Sequence, residues 1–273
     1  MPELPEVEFA ARCLRRWLTG KRIEAAEAPP TRIFRGSDAG AFERELPGRK
    51  LEWVERRGKY LLLGFTENVG LLAHLGMTGK WMRIGRTQER PSHVRASLLL
   101  ARDGLVLYRD PRLFGRIAVH AADSLFQLPE VRGLGPDPLV DGIDPSALYE
   151  RLHRTKRAVK VAIMDQAVIA GIGNIQATDA LFHARIHPAH PASSLRPREV
   201  EALAAGIRRS IDDTLALQTE DADEIEYVEE AGVANPFVIY GRAGHPCPRC
   251  TTSLEKLDLG GRTSVFCPRC QTA

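Results

Sequence analysis

The 273-residue chain has no apolar run approaching the ~18 residues that a membrane-spanning helix needs. Its opening, Met1-Pro2-Glu3-Leu4-Pro5-Glu6, holds two acids and no base, so it lacks the basic start of a secretory leader and a cytoplasmic protein is expected. An excess of one sign of charge is also lacking: 38 Lys+Arg against 35 Asp+Glu leaves +3, too little to argue for a polyanionic partner from composition. There is no internal repeat and no low-complexity tract, which sets aside solenoid and disordered architectures. Before residue 247 the only cysteine is Cys13, beside Leu14 in a helical pattern and read as a small core residue.

The remaining four cysteines fall in the last 27 residues, as Cys247-x2-Cys250 and Cys267-x2-Cys270 with sixteen residues between the pairs. Two such turns can present four thiolates to one ion, which predicts a structural zinc site; the other reading, two disulfides, is disfavoured in a reducing compartment. The net charge is small but unevenly spread. Residues 220–230 hold seven acids and no base, and residues 151–160 hold five bases (Arg151, Arg154, Lys156, Arg157, Lys160) and no acid. Either run alone reads as a solvated face.

Pro5 to Leu18 carries a helical stripe of Val7, Ala11, Leu14 and Leu18, with Gly20 just past its end. From residue 21 to 122 the pattern changes to short β-rich runs (51–65, 71–84, 94–100, 105–108, 117–120), the signature of a sandwich or barrel. Residues 132–145 contain three glycines and three prolines and read as a linker. Beyond them Asp144 is a plausible N-cap with Pro145 behind it, a segment from Asn174 to His183 follows, and Pro197 to Leu217 forms a clear amphipathic helix. The expected organisation is a β-sandwich domain over 2–131, a linker over 132–145, a helical domain over 146–240 and a zinc-binding end over 241–273.

Six segments coincide in order with one family: Pro2-Glu3-Leu4-Pro5-Glu6-Val7-Glu8, His74-Leu75-Gly76-Met77-Thr78-Gly79, Asp110-Pro111-Arg112-Leu113-Phe114-Gly115, Leu134-Gly135-Pro136-Asp137-Pro138-Leu139, Gly171-Ile172-Gly173-Asn174-Ile175 and the four-cysteine ribbon. Across nearly its whole length the sequence resembles the formamidopyrimidine-DNA glycosylases, a family shared with endonuclease VIII. The resemblance implies an α+β multidomain fold: an N-terminal helix on a two-layered β-sandwich, then a helix-two-turn-helix domain and a zinc-ribbon hairpin, with DNA in the cleft between the halves. It implies a monomeric bacterial enzyme of base excision repair, associated with the nucleoid when acting on damaged double-stranded DNA, and one structural zinc ion.

The resemblance also implies roles. With Met1 removed, Pro2 presents a secondary amine able to attack the deoxyribose C1′. Glu3 is the adjacent acid and base, Glu6 supports it, and Lys59 matches a strand lysine that assists base loss and elimination. Met77, Arg112 and Phe114 match a trio that fills the gap left by an everted base, with Phe114 as wedge and Arg112 as donor to the orphaned partner. Lys160 and Asn174 match phosphate contacts, with Lys156 and His74 as further candidates. Arg262 matches an arginine tied to DNA contact and δ-elimination.

The match also fails in places. The Ser- and Gly-rich lid expected over 220–237 is here acidic, with Gly232 its only glycine. Gln176 replaces a tyrosine, Arg95 replaces an acid, and Pro91 stands near the place of an expected histidine. These departures leave three readings open: a glycosylase and abasic-site lyase with the family's usual range, an enzyme shifted toward oxidised pyrimidines or bulky adducts, and a zinc-ribbon protein that binds lesions without cutting.

Overall fold

A computed structural model describes residues 2–36, 39–101, 103–217 and 235–272. They divide into two compact units, one over 2–132 and one over 133–217 with 235–272. The acidic run over 220–230, and the expected lid as far as residue 234, lie outside the described residues.

The first unit opens with helix α1 (Leu4–Leu18), whose one proline, Pro5, falls in the first turn where no backbone donor is lost. Its apolar face packs on two antiparallel four-stranded sheets. One runs in the order β1 (Ile23–Glu27), β6 (Val94–Leu100), β7 (Leu105–Arg109), β5 (Lys80–Ile84). The other runs β2 (Leu51–Arg57), β3 (Tyr60–Phe65), β4 (Val69–His74), β8 (Arg116–Ala121). A short helix, α2 (Ala39–Glu45), precedes β2.

Side chains from both sheets and α1, among them Trp17, Leu61, Leu63, Leu71, Trp81, Leu98 and Tyr108, form one buried cluster, which makes the unit a two-layered sandwich. Cys13 belongs to that core. The apolar runs of β3 and β4 are unbroken because their second face is covered too: Leu62 and Leu72 pack on Leu125 and Val131, from a 3-10 turn (Ala122–Gln127) and helix α3 (Pro129–Arg132).

The run expected over 51–65 is two strands, because Gly58 and Lys59 form a two-residue hairpin loop closed by the Arg57–Tyr60 pair. Gly58 takes φ +56, a conformation such loops demand and glycine adopts without strain. The run expected over 71–84 is likewise split, by the loop that carries Met77.

The second unit holds α4 (Pro145–His153), α5 (Val159–Ile163), α6 (Asn174–Ala184) and α7 (Pro197–Leu215), followed by the hairpin β9 (Glu255–Leu259) and β10 (Arg262–Phe266). Asp144 caps α4 by accepting from the Ser146 amide at 2.9 Å. Helices α6 and α7 cross closely because Gly206 has no side chain; a Cβ there would come within 2.5 Å of the Ala180 carbonyl oxygen.

Candidate active site and nucleic-acid interface

In the first unit, Pro2 and Glu3 are buried at the mouth of α1. The Glu3 amide donates to Glu6 Oε2 at 2.8 Å, and the two residues form a reciprocal capping box. Glu6 lies out of water beside a second carboxyl. Burial above all, and then the charge of Glu3, push its pKa up to about 7. This is a carboxyl that holds its proton to near neutrality, next to another acid at the same helix mouth.

Lys59 sits half-buried in the β2–β3 turn rather than within a strand, because the ladder ends at Arg57 and Tyr60. Opposite Tyr60, at the end of β4, lies His74, their ring centroids 4.9 Å apart. Its Nδ1 accepts from the Gly76 amide at 3.0 Å, which leaves the ring proton on Nε2. Burial, with Lys59 and Arg116 adding positive charge nearby, brings its pKa down to about 4. His74 is therefore a neutral donor rather than a cation.

The loops 75–79 and 110–115 are locked to each other. Asp110 is fully buried; its carboxylate accepts from the Thr78 hydroxyl at 2.7 Å and from the Gly115 amide at 2.8 Å. Gly76, at φ +64, lies so close to Phe114 that a Cβ would meet the Phe114 carbonyl oxygen at 2.5 Å. Arg32 donates to the carbonyls of Arg112 and Leu113 at 2.8 and 3.1 Å. On this rigid base Met77 and Phe114 point outward, 37% and 43% exposed, and the Arg112 guanidinium lies 4.8 Å from the Phe114 ring centre. Large apolar side chains held in solvent by a buried polar frame are placed for contact rather than for a core.

In the second unit, Asn174 is the first residue of α6, and its Oδ1 is buried with no hydrogen-bond partner among the described residues. Lys156 is exposed just before α5. Lys160 is fully buried, donating from Nζ to Ser264 Oγ at 2.8 Å and to the Thr263 carbonyl at 3.2 Å. These bonds hold its ammonium against β10. That strand begins at Arg262, which is exposed at the hairpin tip after the Gly260–Gly261 turn.

The four terminal cysteines form no disulfide. Their sulfurs lie within 4.8 Å of one another, with Cys250–Cys267 at 3.4 Å and Cys247–Cys270 at 4.0 Å. Zn–S bonds of about 2.3 Å in a tetrahedron require sulfurs about 3.8 Å apart, so this donor set fits one zinc ion. The amides of Arg249 and Cys270 donate to Cys247 Sγ and Cys267 Sγ at 3.4 and 3.3 Å, as suits thiolates. Four sulfurs fill the coordination sphere and leave no place for a reacting water.

Residues 1–117 match the model of the formamidopyrimidine-DNA glycosylase N-terminal domain, 134–224 that of the H2TH domain of the same enzymes, and 244–273 that of the zinc finger found in FPG and IleRS. The chain is similar to the formamidopyrimidine-DNA glycosylase of Geobacter metallireducens, at 41% identity with both chains fully covered. It is 36% identical to that of Desulfitobacterium hafniense, over 99% of this chain and all of the relative. The chain belongs to the formamidopyrimidine-DNA glycosylase family.

Solved members from Lactococcus lactis superpose with a TM-score of 0.89. One at 27% identity, covering 99% of this chain and all of that one, is bound to abasic-site DNA, and one at 28%, with both chains fully covered, to DNA containing N7-benzyl-Fapy-dG. As a formamidopyrimidine-DNA glycosylase the chain is a DNA-repair enzyme with a zinc finger, which sets aside the reading as a lesion binder without activity. Among the described residues no helix is long and apolar enough to cross a membrane.

Several residues that organise this glycosylase have roles that its sequence does not show. Asp110 and Thr78 lie inside the quoted motifs but were not given the bracing role they have. Asp179, buried in α6, accepts from the amides of Val238, Ile239 and Tyr240 at 2.7, 3.0 and 3.1 Å and so ties α6 to the segment entering the cysteine cluster. A lone acid in the apolar stretch Ala-Thr-Asp-Ala-Leu was the available signal. Gln176, in the place of a tyrosine, is buried between helices; it accepts from Ser210 Oγ at 2.6 Å and donates to Thr214 Oγ1 at 2.9 Å. Arg95, in the place of an acid, donates to the Asp110 carbonyl at 3.1 Å.

Proposed function

We propose that the chain, freed of Met1, excises damaged bases from duplex DNA and then cleaves the backbone as an abasic-site lyase. The Pro2 nitrogen bonds to C1′ of the lesion nucleotide while the glycosidic bond breaks and the base leaves with its electron pair and a proton. Glu3 delivers a proton to the ring oxygen O4′ as the sugar opens to an iminium, with Lys59 assisting base loss. Loss of a C2′ proton then expels the 3′ phosphate, and elimination at the 5′ side, aided by Arg262, completes the gap.

The observation that carries this reading is the buried Glu3–Glu6 pair at the start of α1 beside Pro2. It sets Glu3 next to the site of an amine that titrates near ~8, with Glu6, its own pKa raised to about 7, bonded to the Glu3 amide in support. Met77, Arg112 and Phe114 fill the gap in the stack, His74, Lys156 and Asn174 contact phosphates, and the enzyme acts as a monomer. Borohydride added during turnover on an abasic duplex should trap a covalent complex, and peptide mapping should find the adduct on the Pro2 nitrogen. An adduct on Lys59, or none from protein with verified loss of Met1, would overturn it.

A second reading concerns lesion range. We propose a shift from 8-oxoguanine toward ring-opened purines, oxidised pyrimidines or bulky adducts, because the sequence over 220–237 lacks the glycines and serines of a closing lid. Excision rates on duplexes carrying 8-oxoguanine, ring-opened guanine and thymine glycol test this. A strong preference for 8-oxoguanine would refute it.

A further inference from the structure

Arg56 lies near the end of β2, buried, two residues before the carbonyl of the turn that carries Lys59. Its Nε donates to Glu8 Oε2 on α1 at 3.0 Å, and its Nη1 donates to the Gly58 carbonyl at 3.1 Å. The other Glu8 oxygen accepts from Arg12 at 3.1 Å, which fixes the carboxylate from the solvent side. Arg15 donates to the Val54 carbonyl at 2.9 Å, a second tie between α1 and β2 that does not reach the turn.

We propose that Arg56 is a positioning residue for Lys59, joining the helix that begins at Pro2 and Glu3 to the turn that presents the lysine. A guanidinium is a planar fork of fixed geometry, so one side chain can hold a carboxylate and a carbonyl at a set separation. An ion pair largely withdrawn from water is a weak source of stability, since apolar residues of the same volume often do as well. What it adds here is register: α1 cannot slide along β2 without breaking one of the two bonds, and Gly58 cannot turn its carbonyl without moving Lys59. This inference rests on the proposed role of Lys59 in base loss.

The test is a double-mutant cycle read by single-turnover base release and by elimination on a preformed abasic duplex. Arg56→Lys keeps the charge but loses the fork, and Glu8→Gln keeps the shape but loses the charge. Should the first fail to fold, the second carries the test. Each variant is expected to slow base release about tenfold in the parent chain and to leave DNA affinity within about twofold, as misplacement of one group does. In a Lys59→Ala background the same changes should cost almost nothing further. Equal losses in both backgrounds, or no loss in the parent, would overturn the proposal. Lys59→Ala that releases base as fast as the parent would overturn the role of Lys59 and the inference with it, and that outcome is visible before any Arg56 variant is made.

Discussion

The Thr78 hydroxyl donates to the buried carboxylate of Asp110 at 2.7 Å, across 32 residues of sequence. One residue stands next to Met77 and the other two residues before Arg112, so this bond sets the spacing of the exposed trio. Hydrogen bonds to a buried charge contribute about 1.5–3 kcal/mol. Asp110→Asn is expected to lower stability to urea by about 2 kcal/mol and to slow excision on the order of 10- to 100-fold. Thr78→Val should show a smaller loss that is not additive with it; additive losses would mean that the two loops are braced independently.

Two buried groups titrate in opposite senses. Glu6 has its pKa raised to about 7, so between about pH 4.5 and 7 the folded state binds more protons than the unfolded, and stability falls as pH rises. His74 has its pKa lowered to about 4, so between about 4 and 6.5 the folded state binds fewer, and stability falls as pH drops. Over the shared window these two contributions offset each other. Relative to the parent, Glu6→Gln should make stability rise more steeply with pH there, and His74→Gln less steeply. Urea midpoints taken from pH 4.5 to 6.5 check both signs.

Zinc removal should act on structure rather than on chemistry. Native mass spectrometry is expected to show one zinc ion per chain, and Cys250→Ala to abolish it. Chelation should lower the melting temperature and loosen the β9–β10 hairpin that carries Arg262, since ligand binding here is folding energy. Full zinc content in the variant would contradict a four-thiolate site.

Lys160 separates two kinds of contact. If its ammonium holds β10 through Ser264 and Thr263, Lys160→Met should speed amide exchange along β10 and weaken DNA binding without changing the slope of affinity against salt. A direct phosphate contact would instead lower that slope by about one. Global stability should change little, because the substitution also removes the cost of burying a charge.

Much of the fold was legible beforehand for local reasons. The stripe of α1, the Asp144 cap, the linker glycines and prolines and the paired cysteines each report backbone preferences or donor spacing that operate within a few residues. The stretch 51–65 was read as one run although Gly58 marks its turn, because β3 is buried on both faces and shows no period of two. For the same reason, pattern alone would have placed Met77 and Phe114 in the core; their exposure depends on Asp110, which they do not neighbour in sequence.

By itself the sequence determined the family, the helix mouth that begins at Pro2 and Glu3, and the four sulfur ligands, since these are carried by adjacent residues whose chemistry needs no distant partner. The tertiary structure alone decided which charges are buried and what they hold: Asp110 on Thr78, Arg56 between Glu8 and Gly58, Lys160 on β10, Asp179 on the amides of 238–240. The physical reason is that a polar side chain is defined by its surroundings. In solvent these groups would be ordinary surface charges, and only packing, by withdrawing water, turns each into a bond with one partner.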